Sequence, residues 1–314
     1  MDVLGSGVSR AVSPMRAGTL ASRGSLPRLT NLLVLARPQQ WTKNAFVLAA
    51  LALTPAALSP DNIWRSLLAV LAFSAAASAV YVLNDILDRE ADRLHERKRR
   101  RPVASGAVSV PVAGLFGGVL LLLAAALSLS ISPGFAAVVL VYLLLNTAYC
   151  LRLKQVSIVD VMIIAMGFVL RVKAGAVAIG VAPSAWILIA TGLLALFLAL
   201  AKRRDDLVRD LGRDHRRSLE GYTKPFLDVA ITVVLGALLV AYLVYTTDSA
   251  VMARLGTDQI YYTAPFVVAG VLRYLQLTLV EERSGSPTRL VLTDRFLIAT
   301  VAGWGLTFLA LIHV

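Results

Sequence analysis

The chain has 314 residues, 58% hydrophobic and 16% charged, against roughly 45–50% and about 25% in soluble globular domains. Its apolar residues fall in blocks of about 17 to 25, long enough to cross a hydrocarbon core of roughly 30 Å as helices, and they lack the two-residue alternation of a membrane barrel. Soluble domain, barrel and disordered chain are excluded, and so is a disulfide scaffold, because the single Cys150 has no internal partner.

In chain order, residues 1–40 mix Arg10, Arg16, Arg23, Arg28 and Arg37 with Ser, Gly and Pro and hold no apolar run long enough for a signal peptide. The expectation is a cytoplasmic tail, disordered at least to about residue 25. Residues 41–314 read as a single all-α transmembrane domain of nine helices, at 43–59, 63–83, 110–131, 134–151, 157–179, 184–201, 226–246, 261–280 and 294–313. Breaks such as Ser132-Pro133-Gly134 and Gly180-Val181-Ala182-Pro183 make tight hairpins between neighbours. The net charge of +12 does not point to nucleic acid, because it is sorted by membrane side. Of 31 basic residues, all but Arg65, Arg171, Lys173 and Arg254 lie in the tail, in the loops after even-numbered spans, or on the helix ends flanking them. By the positive-inside rule the N-terminus is cytoplasmic and the C-terminus outside, in a multi-pass plasma (inner) membrane protein. The loops 84–109 and 202–225 on that cytoplasmic face are long and charged, and function concentrates in such loops.

Span two runs into Tyr81-Val82-Leu83-Asn84-Asp85-Ile86-Leu87-Asp88-Arg89-Glu90-Ala91-Asp92 with no Pro or Gly to interrupt it. A continuing helix projects Asn84, Asp88 and Asp92 from one face, about 6 Å apart per step, a row of hard oxygen ligands. Magnesium is held by one or two carboxylates plus substrate phosphates and keeps several waters, so such a row suits a metal-bound diphosphate. The basic run that follows, including Lys98 and Arg101, can hold the remaining phosphate oxygens. The alternative is that these charges merely solvate a helix end, an explanation that suits the basic run better than the acidic row.

Span six ends comparably in Lys202-Arg203-Arg204-Asp205-Asp206-Leu207-Val208-Arg209-Asp210, with Asp206 and Asp210 one helical turn apart. Two acidic helix ends, each leading into a basic loop on one membrane face, form the pseudo-repeat of a two-sided diphosphate site. In span five, Asp160 and Arg171 lie eleven residues apart, about 16 Å along a shared face. Charges that deep face a cavity, and Asp160 is placed to steady a cation or a ribose hydroxyl. Arg152 and Lys154 are candidate lipid-headgroup contacts, Lys43 and Lys202 are candidate phosphate contacts, and Tyr81, one turn before Asn84, can donate to a substrate oxygen or anchor the interface. None of the three histidines, His95, His215 and His313, is placed as an obvious base.

The pattern NDxxDxxxD after the second span, the second DxxxD after the sixth and nine spans in all resemble the UbiA-type intramembrane prenyltransferase superfamily. Further segments resemble its decaprenyl-phosphate phosphoribosyltransferase branch: Arg37-Pro38-Gln39-Gln40-Trp41-Thr42-Lys43-Asn44, the stretch His95 to Gly106, Asp160 with Leu170-Arg171, Lys202-Arg203-Arg204 and Arg273-Tyr274. The branch often carries Glu-Leu where Asp206-Leu207 stands, which leaves the metal role of the second motif open. The resemblance implies transfer of 5-phosphoribose from phosphoribosyl diphosphate to a polyprenyl phosphate such as decaprenyl phosphate, with magnesium as cofactor, in the synthesis of cell-wall arabinan precursors. It implies Asn84, Asp85 and Asp88 at the catalytic centre, Asn84, Asp88, Asp92, Asp206 and Asp210 on metal, and Lys43, Tyr81, Lys98, Arg101, Lys202, Arg203 and Asp160 toward the donor. Arg37, Arg152, Lys154 and Arg171 fall to the acceptor. An aromatic prenyltransferase of the same fold is the alternative, and a transporter a more distant one, since its site would lie at the bilayer midplane. Oligomeric state, a homo-oligomer included, is left open.

Overall fold

The computed structural model describes residues 29–54, 57–96, 98–208, 217–282, 290 and 293–313. Most of the expected disordered tail therefore lies outside the described residues, and so does Asp210. Helix α1 (Leu29–Ala36) opens the described chain, followed by a 3₁₀ helix (Pro38–Leu48), α2 (Ala49–Ala52), α3 (Pro60–Leu87), α4 (Arg89–Leu94) and a 3₁₀ turn (Lys98–Arg100). Then come α5 (Val110–Ile131), α6 (Pro133–Leu151), a 3₁₀ turn (Leu153–Gln155), α7 (Val159–Ala178), α8 (Ala185–Val208) and a 3₁₀ turn (Arg217–Gly221). Beyond lie α9 (Lys224–Thr247), α10 (Ser249–Leu255), a span made of 3₁₀ helix (Ile260–Thr263), α11 (Ala264–Leu275) and π-helix (Gln276–Val280), and α12 (Arg295–His313). No strand occurs among the described residues.

Local sequence explains where these helices start. Ser59, Ser132 and Thr223 cap α3, α6 and α9 by accepting from the backbone N–H three residues on, at 3.2, 3.0 and 3.3 Å, and each helix has proline in its first two positions, where a missing N–H costs nothing.

Eight helices are long and apolar enough to cross a membrane among the described residues. The expected first span, 43–59, is not one of them. Pro38 starts a 3₁₀ helix and Thr54 precedes Pro55, a position that disfavours α conformation. Between them Asn44 is committed to side-chain bonds with its neighbours. The segment is thus a short, broken element, while α1, within the stretch expected to be tail, packs Leu35 against Val82, Val103, Val108 and Ala113.

Helix α3 is the hub. In its apolar window 67% of the residues are buried inside the protein, against 11% in α12, which faces outward. Small residues make this possible: Ala69, Ala72, Ala76 and Ala77 let α5, α6, α7 and the first 3₁₀ helix approach closely. A second apolar cluster joins α8, α9, α11 and α12 through Phe197, Leu227, Ile231, Tyr274, Leu277 and Leu297. Helix α7, packed on both α6 and α8, links the halves.

Candidate active site

The C-terminal ends of α3, α6 and α8 and the N-terminal ends of α7 and α9 converge on one end of the bundle. Helix α3 stops at Leu87, and Asp88, with φ −89° and ψ 5°, turns the chain before α4 restarts at Arg89. The backbone bonds continue through it, from the Asp88 N–H to Asn84 and from the Asp92 N–H to Asp88, and the row drifts by about 40° at each four-residue step. Asn84 and Asp88 remain together and share one cation: Lys154 Nζ donates to Asn84 Oδ1 at 3.4 Å and to Asp88 Oδ1. Asp92 is instead brought to the side of Asp85, seven residues and two turns away. Arg101 Nη1 donates to Asp92 Oδ2 at 2.6 Å and to Asp85 Oδ1 at 3.2 Å, and Arg37 Nη2 donates to the same Asp85 oxygen. Asp85 and Asp92 are both buried, so Arg101 is held between two carboxylates. Arg37 itself adopts left-handed φ 54° and ψ 59° and lies 4.9 Å from the centre of the Tyr81 ring.

Deeper in the bundle, Arg171 on α7 is buried without a carboxylate partner among the described residues. Its Nε donates to Asn44 Oδ1 at 2.9 Å, Nη1 to the Gly167 carbonyl at 2.7 Å and Nη2 to Tyr142 Oη at 3.1 Å. The rings of Phe73, Tyr142 and Phe168 surround it at 5.0–5.5 Å. Asn44 also donates to Ser74 Oγ at 2.9 Å. Arg171 thus ties the 3₁₀ helix to α7, and Gly175 permits the approach, because a Cβ there would lie 1.8 Å from the Val47 carbonyl oxygen. Lys43, next to Asn44, is exposed and lies within electrostatic reach of Arg171, Lys202 and Arg37. Lys43, Arg37, Arg171 and Lys202 thus form a cluster of cations, one member of which, Arg37, reaches the acidic end of α3 at Asp85.

On α8, Lys202 is exposed whereas Arg203 and Arg204 are buried. Arg203 Nε donates to Asp160 Oδ2 at 2.7 Å and its Nη1 to Asp206 Oδ2 at 3.5 Å. Tyr222 Oη donates to the other Asp160 oxygen at 2.8 Å, and the Val161 N–H reaches that oxygen at 2.9 Å. Burial, and then the bond to the Asp160 carboxylate, push the Tyr222 phenol well above the usual tyrosine range, so it stays a neutral donor. Asp160 steadies a cation from within the protein. Tyr142, Tyr222 and the Arg204–Asp228 pair are absent from the sequence reading, because their partners are distant in the chain and no local spacing marks them. Lys98 is half-buried in its 3₁₀ turn and Arg152 is exposed.

No group of three His, Cys, Asp or Glu side chains suited to a metal occurs among the described residues. The donors that do converge are one amide and one carboxylate oxygen, already facing an ammonium. That set fits magnesium, which takes few protein ligands and completes its shell with water and phosphate oxygens. Asp206 lies on the α8 side, half-buried.

A model of the UbiA prenyltransferase family matches residues 45–310. The chain is 33% identical to the decaprenyl-phosphate phosphoribosyltransferase of Mycolicibacterium smegmatis, over 88% of this chain and 90% of that one. It is 34% identical to the enzyme of the same name from Corynebacterium glutamicum, over 85% and 82%. Among solved structures it is similar to a UbiA homolog from Archaeoglobus fulgidus bound to GPP and Mg2+, with TM-score 0.66 and 20% identity over 90% of this chain and all of that one. Eight membrane-length helices, two acidic helix ends at one face and these likenesses lead to one conclusion: the chain belongs to the UbiA prenyltransferase family.

Proposed function

We propose that this protein transfers 5-phosphoribose from phosphoribosyl diphosphate to decaprenyl phosphate, or a polyprenyl phosphate like it, and releases diphosphate. The relatives named for that activity match most of the chain. The observation that carries the reading is a set of cations beside a small acidic site: Lys154 on Asn84 and Asp88, Arg37 on the adjoining Asp85, and Lys43 within electrostatic reach of Arg37, Arg171 and Lys202. Three phosphate-bearing groups enter this reaction, whereas an aromatic prenyltransferase has one diphosphate to hold. Charge-assisted contacts with phosphate oxygens are what such side chains supply best.

In this reading a lipid phosphate oxygen forms a bond to C1 of the ribose as the bond from C1 to the diphosphate oxygen breaks, with inversion at C1. The acceptor is already an anion, so no side chain removes a proton. Asn84 and Asp88 are the residues that would hold magnesium, which would supply positive charge against the leaving diphosphate. Lys154, beside the acidic pair, supplies a charge-assisted contact to a substrate phosphate there. Lys43 and Lys202 hold further phosphate oxygens, with Arg171 and Asn44 fixing the 3₁₀ helix that carries Lys43. Arg101, Asp85 and Asp92 keep the end of α3 in shape, and Arg203 and Asp160 do the same for α8. Catalysis rests on positioning and electrostatic stabilisation. The broken segment Pro38–Ala52 is the first of nine crossings, the acidic end faces the cytoplasm across the plasma membrane, and the product feeds cell-wall arabinan synthesis. Asp88→Asn tests the site: transfer should fall by at least about a hundredfold, the size that loss of one electrostatic contact to the transition state supplies, with an unchanged melting midpoint in detergent. Near-wild-type turnover at saturating magnesium would refute it.

A further inference from the structure

The turn between α6 and α7 is held in a backbone shape it does not favour. Ile158 has φ 69° and ψ −51°, and the Val159 N–H donates to the Ser157 carbonyl at 2.8 Å. Together these make a γ-turn of the rare, strained hand, at a β-branched residue for which positive φ is a genuine outlier. Such a conformation persists only where its surroundings over-determine it.

Those surroundings come from the far end of the second long loop. The Ile158 N–H donates to Tyr222 Oη at 2.5 Å, and Tyr222 Oη donates onward to Asp160, whose second oxygen is held by Arg203. Ser157 Oγ donates to the Ser218 carbonyl at 2.8 Å. Gly221 lies so close that a Cβ on it would fall 2.1 Å from Ser157 Oγ and 2.8 Å from Ser157 Cβ. The segment 217–222 thus grips residues 157–160 by three side-chain bonds and a contact that only glycine allows. The gripped turn continues into the Leu153–Gln155 turn, where Arg152 and Leu153 carbonyls hold Gln155 and Val156 and the Val156 carbonyl holds Asp160 at 3.0 Å. That short unit bears Lys154, whose ammonium lies on Asn84 and Asp88.

We propose that Tyr222 is a positioning residue, a latch by which the segment 217–222 presents Lys154 to the acidic end of α3. The inference rests on the reading that Lys154 acts at the substrate phosphates. Its physical content is a chain of contacts from one acidic motif's loop to the other motif. Remove the phenolic oxygen, and the Ile158 N–H and a fully buried Asp160 oxygen each lose a partner, the strained turn relaxes, and Lys154 moves with it. The two acidic ends are thereby made to assemble together.

The test is a double-mutant cycle on the full-length protein in detergent or nanodiscs, reading transfer of labelled phosphoribose to polyprenyl phosphate. Tyr222→Phe keeps the ring, which packs with Leu219 and lies 6.0 Å from the Phe226 ring, and removes only the hydroxyl. A displacement of about 1 Å at a reacting group costs up to a hundredfold, so Tyr222→Phe should lower kcat/KM between about tenfold and a hundredfold. Added to Lys154→Ala it should lower it further by less than about twofold, because the latch acts only through that lysine. Ser157→Ala, in the same cycle, should behave alike and covers the case in which Tyr222→Phe folds poorly. If Lys154→Ala is slow and the Tyr222→Phe loss multiplies with it in full, the latch is wrong and the reading of Lys154 survives. If Lys154→Ala transfers at the wild-type rate, that reading fails and takes the latch with it.

Discussion

Gly175→Ala is the smallest change that should displace Lys43, proposed above to hold substrate phosphate, without touching it. The added Cβ would sit 1.8 Å from the Val47 carbonyl oxygen, 2.8 Å from its carbon and 3.2 Å from Cα. Real Cβ atoms keep at least 3.0 Å from such neighbours, so the 3₁₀ helix must retreat from α7 by about 1.2 Å, the difference between those two separations. No rotamer relieves the clash, because the obstructing atoms are backbone. A 3₁₀ helix has three residues per turn, so Asn44 lies on the same side as Val47 and moves with it, stretching the 2.9 Å bond from Arg171 past useful length. Overpacking costs about 1–3 kcal/mol, and loss of a hydrogen bond to a buried charged group adds about 1.5–3 kcal/mol. Lys43 is carried along by about 1 Å, a shift worth up to a hundredfold in rate. A thermal melt in detergent and steady-state transfer kinetics read both effects. Val47→Ala should not rescue, since it leaves the carbonyl in place. Wild-type melting and turnover in Gly175→Ala would refute the close approach and the positioning of Lys43 built on it.

Arg101→Gln should destabilise the protein by about 3 kcal/mol, the cost of leaving a buried acid without its partner, and adding Asp92→Asn should recover most of it; denaturant titration without that recovery would show that the Asp92 charge is needed elsewhere. Lys43→Ala and Lys202→Ala should each weaken substrate binding about tenfold to a hundredfold, the worth of a charge-assisted contact, while Arg254→Ala, at the opposite end of the bundle, leaves kinetics unchanged; equal damage from Arg254→Ala would break the one-ended site. Arg273 donates to both Asp294 oxygens, and this bonding holds the Asp294 carboxyl below its ordinary 3.8. A depressed folded pKa stabilises above the unfolded value and that contribution fades as pH falls through the folded one. The melting midpoint should therefore drop below pH 4 by less in Asp294→Asn than in the wild type.

Much of this arrangement is legible in the chain alone. Unbroken apolar runs mark α3, α5, α6, α7, α8, α9, the span ending at Val280 and α12, because burial in lipid imposes length and composition directly. The acidic helix ends are visible too, since carboxylates at the boundary stand out against apolar neighbours. The Asn84–Asp88 pairing follows from helical period, but Asp92 does not stay in that row. At 3.6 residues per turn Asp92 lies two turns from Asp85 and not in line with Asn84, while the Arg101 that joins Asp85 to Asp92 comes from a loop whose path no periodicity sets. The same limit hides Tyr222, which meets Asp160 across 62 residues, and the bond by which the buried Arg203 reaches Asp160 across 43. The first span is broken, where a continuous helix is expected, for a different reason. Its apolar residues continue past Pro55, while its first turns are shaped by Pro38 and by Asn44's bonds to Arg171 and Ser74.

The central claim concerns which group is the electrophile, and one measurement decides it. Membranes containing the protein are incubated with decaprenyl phosphate and 4-hydroxybenzoate together, and supplied in parallel with phosphoribosyl diphosphate labelled in the ribose or with labelled prenyl diphosphate. The account predicts magnesium-dependent entry of ribose label into the lipid fraction with release of diphosphate, lost in Asp88→Asn, and no prenylated aromatic product. Prenyl label appearing on the aromatic acceptor, with ribose label left in the aqueous phase, would contradict it.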